Sequence, residues 1–276
     1  MTNQYASELY DVSDKVAVVT GGAGVLCATM CRALAQWGAR VAVLDVNMDA
    51  AAKLASQICA TGGEAVAVRC DVLDKDSLEN AAQEVMNRYD RVDILVNGAG
   101  GNKPQATTNP ERSFFDLPAD ALRWVLELNL MGAILPSQVF GRIMAQQRSG
   151  VILNISSMNS FHPLTRIPAY SAAKAGLSNF TQWLAVHMAQ EYSPDIRVNA
   201  IAPGFLVGEQ NRRLLLNEDG SLTPRGQSII SHTPMGRFQA PEDLLGTLLW
   251  LVSPASASVT GIVVPVDGGF SAFSGV

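Results

Sequence analysis

Short runs of β-branched residues alternate with longer segments of helical spacing along most of the chain, and this alternation constrains the fold more than any other feature. A strand, a helix and a second strand in succession form a right-handed crossover, which leaves the two strands parallel. The runs are nearly continuous Val, Ile and Leu, as expected for strands buried on both faces. The pattern therefore predicts an α/β fold with a doubly wound parallel sheet of about seven strands, in three layers. The predicted strands are residues 15–20, 40–45, 65–70, 92–96, 150–156, 196–201 and 261–266.

Between these strands, helical spacing is clear over residues 25–37, 49–60, 74–89, 118–147 and 167–191. No linker, charge block or internal repeat divides the chain, so residues 1–276 are predicted to form a single domain. Residues 100–117 and 204–239 escape the alternation. Both follow predicted strands and so lie at the carboxyl edge of the sheet, where open α/β sheets bind their ligands. We expect the second stretch to act as a lid.

Charge and cysteine content disfavour several classes of function. The chain has 20 Lys and Arg against 25 Asp and Glu, a net charge of −5, which offers no basic field for nucleic acid. Its 4 cysteines include no CxxC pair and its 3 histidines show no metal-ligand spacing, so we expect free thiols, no metal and a cytoplasmic protein. The first fifteen residues lack the apolar run of a signal peptide. Residues 244–266 are uncharged, but Pro254 and a Ser-Ala-Ser run predict a helix end, a turn and a strand rather than a membrane span.

A glycine-rich turn, Thr20-Gly21-Gly22-Ala23-Gly24, joins the first predicted strand to the first helix. Such a turn lets the backbone approach a pyrophosphate, whose charge is favoured by the helix N-terminus. The second strand ends in Asp45, where a carboxylate can accept hydrogen bonds from both hydroxyls of an adenosine ribose and would repel a 2'-phosphate. The pattern favours NAD over NADP. A tight turn followed by an acidic helix cap is the structural alternative.

Tyr170 and Lys174 are four residues apart at the start of an apolar helical pattern, so their side chains lie on one face of a helix. An adjacent ammonium stabilises a phenolate, and we expect Lys174 to lower the pKa of Tyr170 toward the range of a proton-transfer catalyst. Ser157, at the end of the preceding strand, can polarise a carbonyl while Tyr170 delivers the proton. The pair alone would also suit an ordinary surface helix.

In order and over essentially the whole chain, several motifs resemble those of the short-chain dehydrogenase/reductase family. The motifs are Thr20-Gly21, Asp71, Asn97-Gly98-Ala99-Gly100, Asn129, Ser157, Tyr170 with Lys174, and Pro203-Gly204. The resemblance implies a Rossmann-like fold and an enzyme that acts on CH–OH groups with NAD as acceptor. It also implies a homotetramer.

The same resemblance implies a role for each matching residue. Asp71 with Val72 would hold the adenine, Asn97 would stabilise the sheet beside the cofactor, and Asn129 would kink its helix and hold a water that relays protons through Lys174. The predicted catalytic residues are Asn129, Ser157, Tyr170 and Lys174. The predicted cofactor-binding residues are Gly21, Gly22, Gly24, Val25, Leu26, Asp45, Asp71, Val72, Asn97, Ala99, Gly100, Tyr170, Lys174, Pro203 and Gly204.

The chain departs from the family pattern at two places. Val25 and Cys27 stand where the pattern has glycines, so we expect the turn to depend on the earlier glycines or to be shaped differently. Gly208 stands where the pattern has a Thr that binds the nicotinamide carboxamide, and we expect a backbone amide within residues 207–209 to replace it.

Within the family, three features resemble the D-mannonate oxidoreductase branch: Val25-Leu26-Cys27, the insertion over residues 101–117, and the ending from Asp267 onward. The branch implies interconversion of a hexonate with its keto-hexuronate. A sugar acid needs a cation for its carboxylate, which Arg can hold through two hydrogen bonds. The predicted substrate residues are Lys103, Asn159, Arg166 and Arg212.

Two alternatives stay open. The first keeps the enzyme class but changes the substrate to another polyol, another sugar or a 3-ketoacyl compound. The second is a dinucleotide-binding sensor or scaffold without catalysis, although such a protein needs no proton relay.

Overall fold

The computed structural model describes residues 8–208 and 211–275. Seven parallel strands form one sheet in the order β3-β2-β1-β4-β5-β6-β7. The strands are β1 (Val16–Thr20), β2 (Arg40–Asp45), β3 (Glu64–Arg69), β4 (Ile94–Asn97), β5 (Gly150–Ile155), β6 (Ile196–Pro203) and β7 (Val263–Val266). This order and direction confirm the predicted doubly wound parallel sheet.

Helices cover both faces of the sheet, which confirms the three layers. Side chains of α1, α2 and α9 pack with one face of the strands, and those of α3, α5 and α6 pack with the other. The helices are α1 (Val25–Gln36), α2 (Met48–Ala60), α3 (Lys75–Tyr89), α4 (Ala119–Leu126), α5 (Gly132–Gln147), α6 (Pro168–Glu191), α7 (Arg212–Leu215), α8 (Pro224–Ser231) and α9 (Leu245–Val252).

The predicted strand ends differ from the observed ones by at most two residues, and backbone geometry explains one of these differences. β7 begins at Val263 rather than at residue 261 because Gly261 has φ of +80°, outside the extended range of a strand, although its N–H still donates to the Val198 carbonyl at 2.7 Å. The uncharged stretch at residues 244–266 forms α9, a short 3-10 turn and β7, as predicted.

Two longer predictions need correction. The helix predicted over residues 118–147 is interrupted by a π-helical turn at Glu127–Met131, which separates α4 from α5. Asn129 lies in this turn and its side-chain amide donates to the Val125 carbonyl, at 2.8 Å, so the interruption agrees with the implied kink. The stretch over residues 204–239 is not irregular throughout, since it contains α7 and α8.

Within the described residues, no helix combines the length and apolarity needed to cross a bilayer.

The strand order places a crevice at one edge of the sheet. From β1 the chain turns into α1 on one face, whereas after β4 it crosses to the other face, so the two connections diverge between neighbouring strands. In open parallel sheets, a ligand binds where the connections diverge in this way, at the carboxyl ends of the strands.

Candidate active site

The glycine-rich turn after β1 makes close contact with the chain that leaves β4. Gly21 has φ of +60°, and a Cβ at this position would lie 2.8 Å from the Ala99 Cα, so only glycine fits without displacement. Val25 is the first residue of α1 and has no positive φ. The earlier glycines therefore take the turn, as predicted, and the Val25 side chain is left 58% exposed at the start of the helix.

Cys27 fills the space behind this turn, a role that sequence reasoning missed. Its thiol is buried against Gly98, and a Cβ at Gly98 would overlap the Cys27 sulfur. Burial raises the pKa of Cys27 to about 12, so the thiol stays protonated and unreactive at neutral pH. The available signal for this role was a glycine, Gly98, in one segment facing a larger side chain, Cys27, in another.

Asp45 at the end of β2 is fixed against the glycine-rich turn. One carboxylate oxygen accepts the Ala23 N–H at 3.1 Å, and the other accepts the Asn47 N–H at 2.9 Å. The cap of α2 is Asn47, whose side chain accepts the Ala50 N–H. Asp45 is therefore not the helix cap of the structural alternative, and its carboxylate borders the crevice.

Thr20 joins the carboxyl ends of β1 and β4. Its hydroxyl oxygen accepts the Gly98 N–H at 3.1 Å and the Ala99 N–H at 3.4 Å. Just after β3, Asp71 is exposed and Val72 is buried. The predicted adenosine and pyrophosphate residues thus lie along this one edge of the sheet.

Asn97 anchors a buried polar network beneath the crevice. Its amide nitrogen donates to the Ser137 hydroxyl at 3.0 Å and to the Asn154 side-chain oxygen at 2.8 Å. Asn154 in turn donates to the Thr181 hydroxyl at 2.8 Å. The network links β4 and β5 to α5 and α6, and it agrees with the sheet-stabilising role implied for Asn97.

The four predicted catalytic side chains converge above β4 and β5. The Lys174 ammonium lies 5.6 Å from the centre of the Tyr170 ring and donates to the Ile155 carbonyl at 2.7 Å. Ser157 lies close enough to Tyr170 to lower the pKa of its phenol. Asn129 is buried, and its amide donates to the Gly101 carbonyl at 2.6 Å.

The prediction that Lys174 lowers the pKa of Tyr170 is wrong. Burial raises the pKa of Tyr170, and only the hydrogen bond from Ser157 opposes this rise. Burial also lowers the pKa of Lys174 to about 8. Desolvation is therefore the largest cause of the pKa shift at both groups.

On the far side of the crevice, Gly204 follows β6 and donates to the Val266 carbonyl at 3.0 Å. The Gly208 amide donates to the Asn211 side-chain oxygen at 2.8 Å, so it is engaged within the segment. Of the amides predicted to replace the missing Thr, Glu209 lies outside the described residues. Val207 remains the candidate that the structure describes.

The four predicted substrate residues differ in whether their polar groups already contact other residues of the chain. The Lys103 ammonium lies 3.9 Å from the centre of the Trp124 ring. The Asn159 side-chain oxygen accepts the Leu164 N–H at 2.9 Å and the Ser171 hydroxyl at 3.3 Å, so it braces the turn after Ser157. Arg166 and Arg212 are exposed.

Within residues 8–208 and 211–275, no group of three or more His, Cys, Asp or Glu side chains is arranged to hold a metal ion.

Comparisons with known proteins give a consistent picture. A model of the short chain dehydrogenase family matches residues 15–218. The uncharacterized oxidoreductase UxuB of Bacillus subtilis is 50% identical over 275 residues, which cover 96% of this chain and 98% of that protein. A candidate D-mannonate oxidoreductase from Haemophilus influenza, solved with bound NAD, superposes with a TM-score of 0.92 at 46% identity over 98% of this chain and 100% of its own. A candidate NAD(P)-dependent gluconate 5-dehydrogenase from Beutenbergia cavernae, with NADP at low occupancy, gives 0.84 at 32% identity over 96% and 99%.

Proposed function

The chain belongs to the short-chain dehydrogenase family and is an oxidoreductase of that family, and on this premise we propose that it interconverts D-mannonate and D-fructuronate with NAD. The convergence of Ser157, Tyr170 and Lys174 beside the glycine-rich turn carries the proposal. In this reaction, a carbinol of the hexonate loses a hydride to the nicotinamide and a proton to the protein. The reverse reaction returns both to the ketone.

The crevice suits a dinucleotide because the close contact of Gly21 with Ala99 forms a cradle that a Cβ would fill. Gly21, Gly22, Gly24 and the start of α1 would hold the pyrophosphate, and Asp45 would accept the adenosine ribose hydroxyls. When bound, NAD supplies the hydride acceptor. The remaining cofactor contacts are proposed at Val25, Leu26, Asp71, Val72, Asn97, Ala99, Gly100, Pro203 and Gly204, with Tyr170 and Lys174 at the nicotinamide ribose.

We assign the proton transfer to Tyr170. Because its raised pKa keeps the phenol protonated, Tyr170 is ready to donate to a ketone oxygen in the reductive direction. Ser157, beside the same phenol, would hold the substrate oxygen. Lys174 and the π-helical turn at Asn129 would pass the proton toward solvent.

Tyr170→Phe tests this assignment, because it removes the hydroxyl and keeps the ring. We expect kcat to fall at least about 100-fold, the lower range for general acid catalysis, with the Kd for NADH unchanged within about threefold. Tyr192→Phe, on the exposed end of α6, is the matched control and should keep full activity. Loss of NADH binding in Tyr170→Phe would instead indicate a structural residue.

The preference for NAD over NADP is proposed to depend on the charge of Asp45. Asp45→Asn keeps the shape of the side chain and removes the charge that opposes a 2'-phosphate. We expect the ratio of kcat/KM for NAD to that for NADP to fall by about tenfold or more, since one charged hydrogen bond contributes about 1.5–3 kcal/mol. Asp49→Asn, exposed in the first turn of α2, is the control. An unchanged ratio would remove Asp45 from this role.

D-mannonate is proposed as the substrate on the strength of the NAD-bound Haemophilus relative and of the resemblance in the insertion and chain ending. Reduced-nicotinamide absorbance with NAD⁺ and D-mannonate, D-gluconate, D-mannitol and glycerol tests the assignment, and an acyl-thioester ketone with NADH tests the 3-ketoacyl alternative. Turnover of a polyol alone would replace the acid with a neutral substrate. NADH binding without turnover on the panel would favour the sensor alternative.

We further propose that the chain acts as a single domain in a cytoplasmic homotetramer. The exposed face of α6 supports self-association, since Trp183 is 57% exposed and stacks between Phe180 and His187. Large exposed aromatic side chains are typical of protein interfaces. Trp183→Glu should shift the light-scattering mass toward smaller species.

A further inference from the structure

The short turn that follows Ser157 holds both the hydroxyl and the backbone of this residue. The Ser157 side-chain oxygen accepts the Asn159 N–H at 3.3 Å. The Ser157 carbonyl accepts the N–H and the hydroxyl of Ser160, at 2.9 and 2.8 Å. A hydroxyl oxygen that accepts a backbone N–H keeps its own proton free to donate. The turn therefore leaves Ser157 able to donate a hydrogen bond to a substrate oxygen.

The side chain of Asn159 holds this turn in place. Its oxygen accepts the Leu164 N–H at 2.9 Å, and this bond sets the orientation of the amide, because a backbone N–H can only donate. The same oxygen accepts the Ser171 hydroxyl at 3.3 Å. One side-chain oxygen therefore joins the turn after Ser157 both to the chain at Leu164 and to helix α6.

Ser171 connects Asn159 to the helix that carries the other catalytic side chains. It directly follows Tyr170 in α6 and lies three residues before Lys174. Ser157, Asn159 and Ser171 are only 8%, 5% and 7% exposed, so their hydrogen bonds lie away from water, where such bonds are stronger. A continuous set of hydrogen bonds therefore fixes the Ser157 hydroxyl relative to α6.

Asn159 borders a cavity that the catalytic hydroxyls do not line. Asn159 and Ser171 both line this space of about 570 Å³ beside α6, whereas Ser157 and Tyr170 do not. The hydrogen bond that joins Asn159 to the catalytic groups is the one from its backbone N–H to Ser157. These contacts favour a positioning role for Asn159 over the substrate contact expected from the sequence.

We propose that Asn159, held by Ser171, is a positioning residue that orients the Ser157 hydroxyl relative to Tyr170. This inference rests on the proposed function, since it requires Ser157 to hold the substrate oxygen while Tyr170 transfers the proton. Proton transfer depends closely on such geometry, and a displacement of about 1 Å can reduce the rate about 100-fold. Sequence reasoning named Asn159 but missed Ser171, because the fold brings these two side chains together.

Steady-state kinetics of Ser171→Ala tests the positioning role without altering Asn159. The substitution removes one hydroxyl, and alanine is well tolerated in a helix. We expect kcat to fall about 3- to 10-fold, the range for one neutral hydrogen bond, while KM for the substrate and Kd for NADH stay within about twofold of wild type. Asn159→Leu keeps the size of the side chain and removes both hydrogen bonds, so its kcat should fall about 10- to 100-fold.

A double variant and a matched control separate positioning from loss of stability. Asn159→Leu combined with Ser171→Ala should lose no more kcat than Asn159→Leu alone, because the two side chains act as a unit. Ser193→Ala is the control: this serine is buried just beyond the other end of α6 and donates to the Arg148 carbonyl at 2.7 Å. It should lower the urea midpoint, as Ser171→Ala does, but keep the kcat of wild type.

A kcat of Ser171→Ala equal to that of an active wild type would overturn the positioning role and leave the proposed function intact. A rise in KM without loss of kcat would also overturn it, since Asn159 would then be a substrate contact. An equal loss of kcat in Ser193→Ala would attribute the effect to stability alone. If wild type turns over a compound other than D-mannonate, the same comparison with that compound keeps the positioning role and removes only mannonate. If wild type binds NADH but turns over no compound, the proposed function fails, and the positioning role fails with it.

Discussion

Replacing Lys174 with Met should stabilise the protein at neutral pH while removing its activity. Lys174 is 4% exposed, and burial lowers its pKa from 10.5 to about 8. This lowering of the pKa corresponds to about 3 kcal/mol against the folded state wherever Lys174 is charged. Methionine keeps the length of the side chain but loses the hydrogen bond from the ammonium to the Ile155 carbonyl, about 2 kcal/mol for a charged donor. The expected net gain at pH 7 is about 1 kcal/mol.

The stability gained by Lys174→Met should decrease as the pH rises. The penalty is fully present below pH 8, where Lys174 is charged in both states, and it disappears between pH 8 and 10.5, where only the unfolded chain keeps the proton. Urea unfolding of wild type and Lys174→Met at pH 7 and pH 9.5 should therefore show the advantage of the variant shrinking by about 2 kcal/mol. A variant that is less stable at pH 7, or whose advantage does not change with pH, would refute the reasoning.

Two other predictions concern close backbone contacts around the crevice. Gly21→Ala should weaken NADH binding at least tenfold, because the new Cβ would lie 2.8 Å from Ala99; Gly220→Ala, with a comparable φ of +84° but open space around it, should only lower the unfolding midpoint slightly. Gly98→Ala should destabilise the protein by about 1–3 kcal/mol through overlap with the Cys27 sulfur. In a double-mutant cycle, Cys27→Ala should recover part of that loss, and strictly additive effects would contradict the contact.

Local patterns were enough to predict the sheet and several helix ends. The strand runs are apolar on both faces, and helix α3 begins after an Asp whose side chain caps it, so the sequence itself contains these signals. The four-residue spacing of Tyr170 and Lys174 likewise required one helix face. The turn tolerates Val25 at a position where the family pattern has glycine, because the positive φ falls on Gly21.

The energetics of the site required the assembled structure. Spacing indicated that Lys174 and Tyr170 are neighbours, but the direction of their pKa shifts depends on the desolvation that the surrounding strands and α6 impose. The π-helical turn, which follows the implied kink, depends on hydrogen bonds from Asn129 to the distant Gly101 as well as to Val125.

The sequence by itself determined the α/β class, the parallel sheet and the identity of the catalytic motif, because these depend on local hydrophobic periodicity and on short residue spacings. The tertiary structure alone decided which side chains meet at the sheet edge and which buried groups lose their ordinary pKa. Asn129 and Gly101 are far apart along the chain, and Cys27 meets Gly98 only because β1 and β4 are neighbours. Hydrogen bonding, desolvation and steric overlap depend on distances between such segments, and the order of residues does not contain those distances.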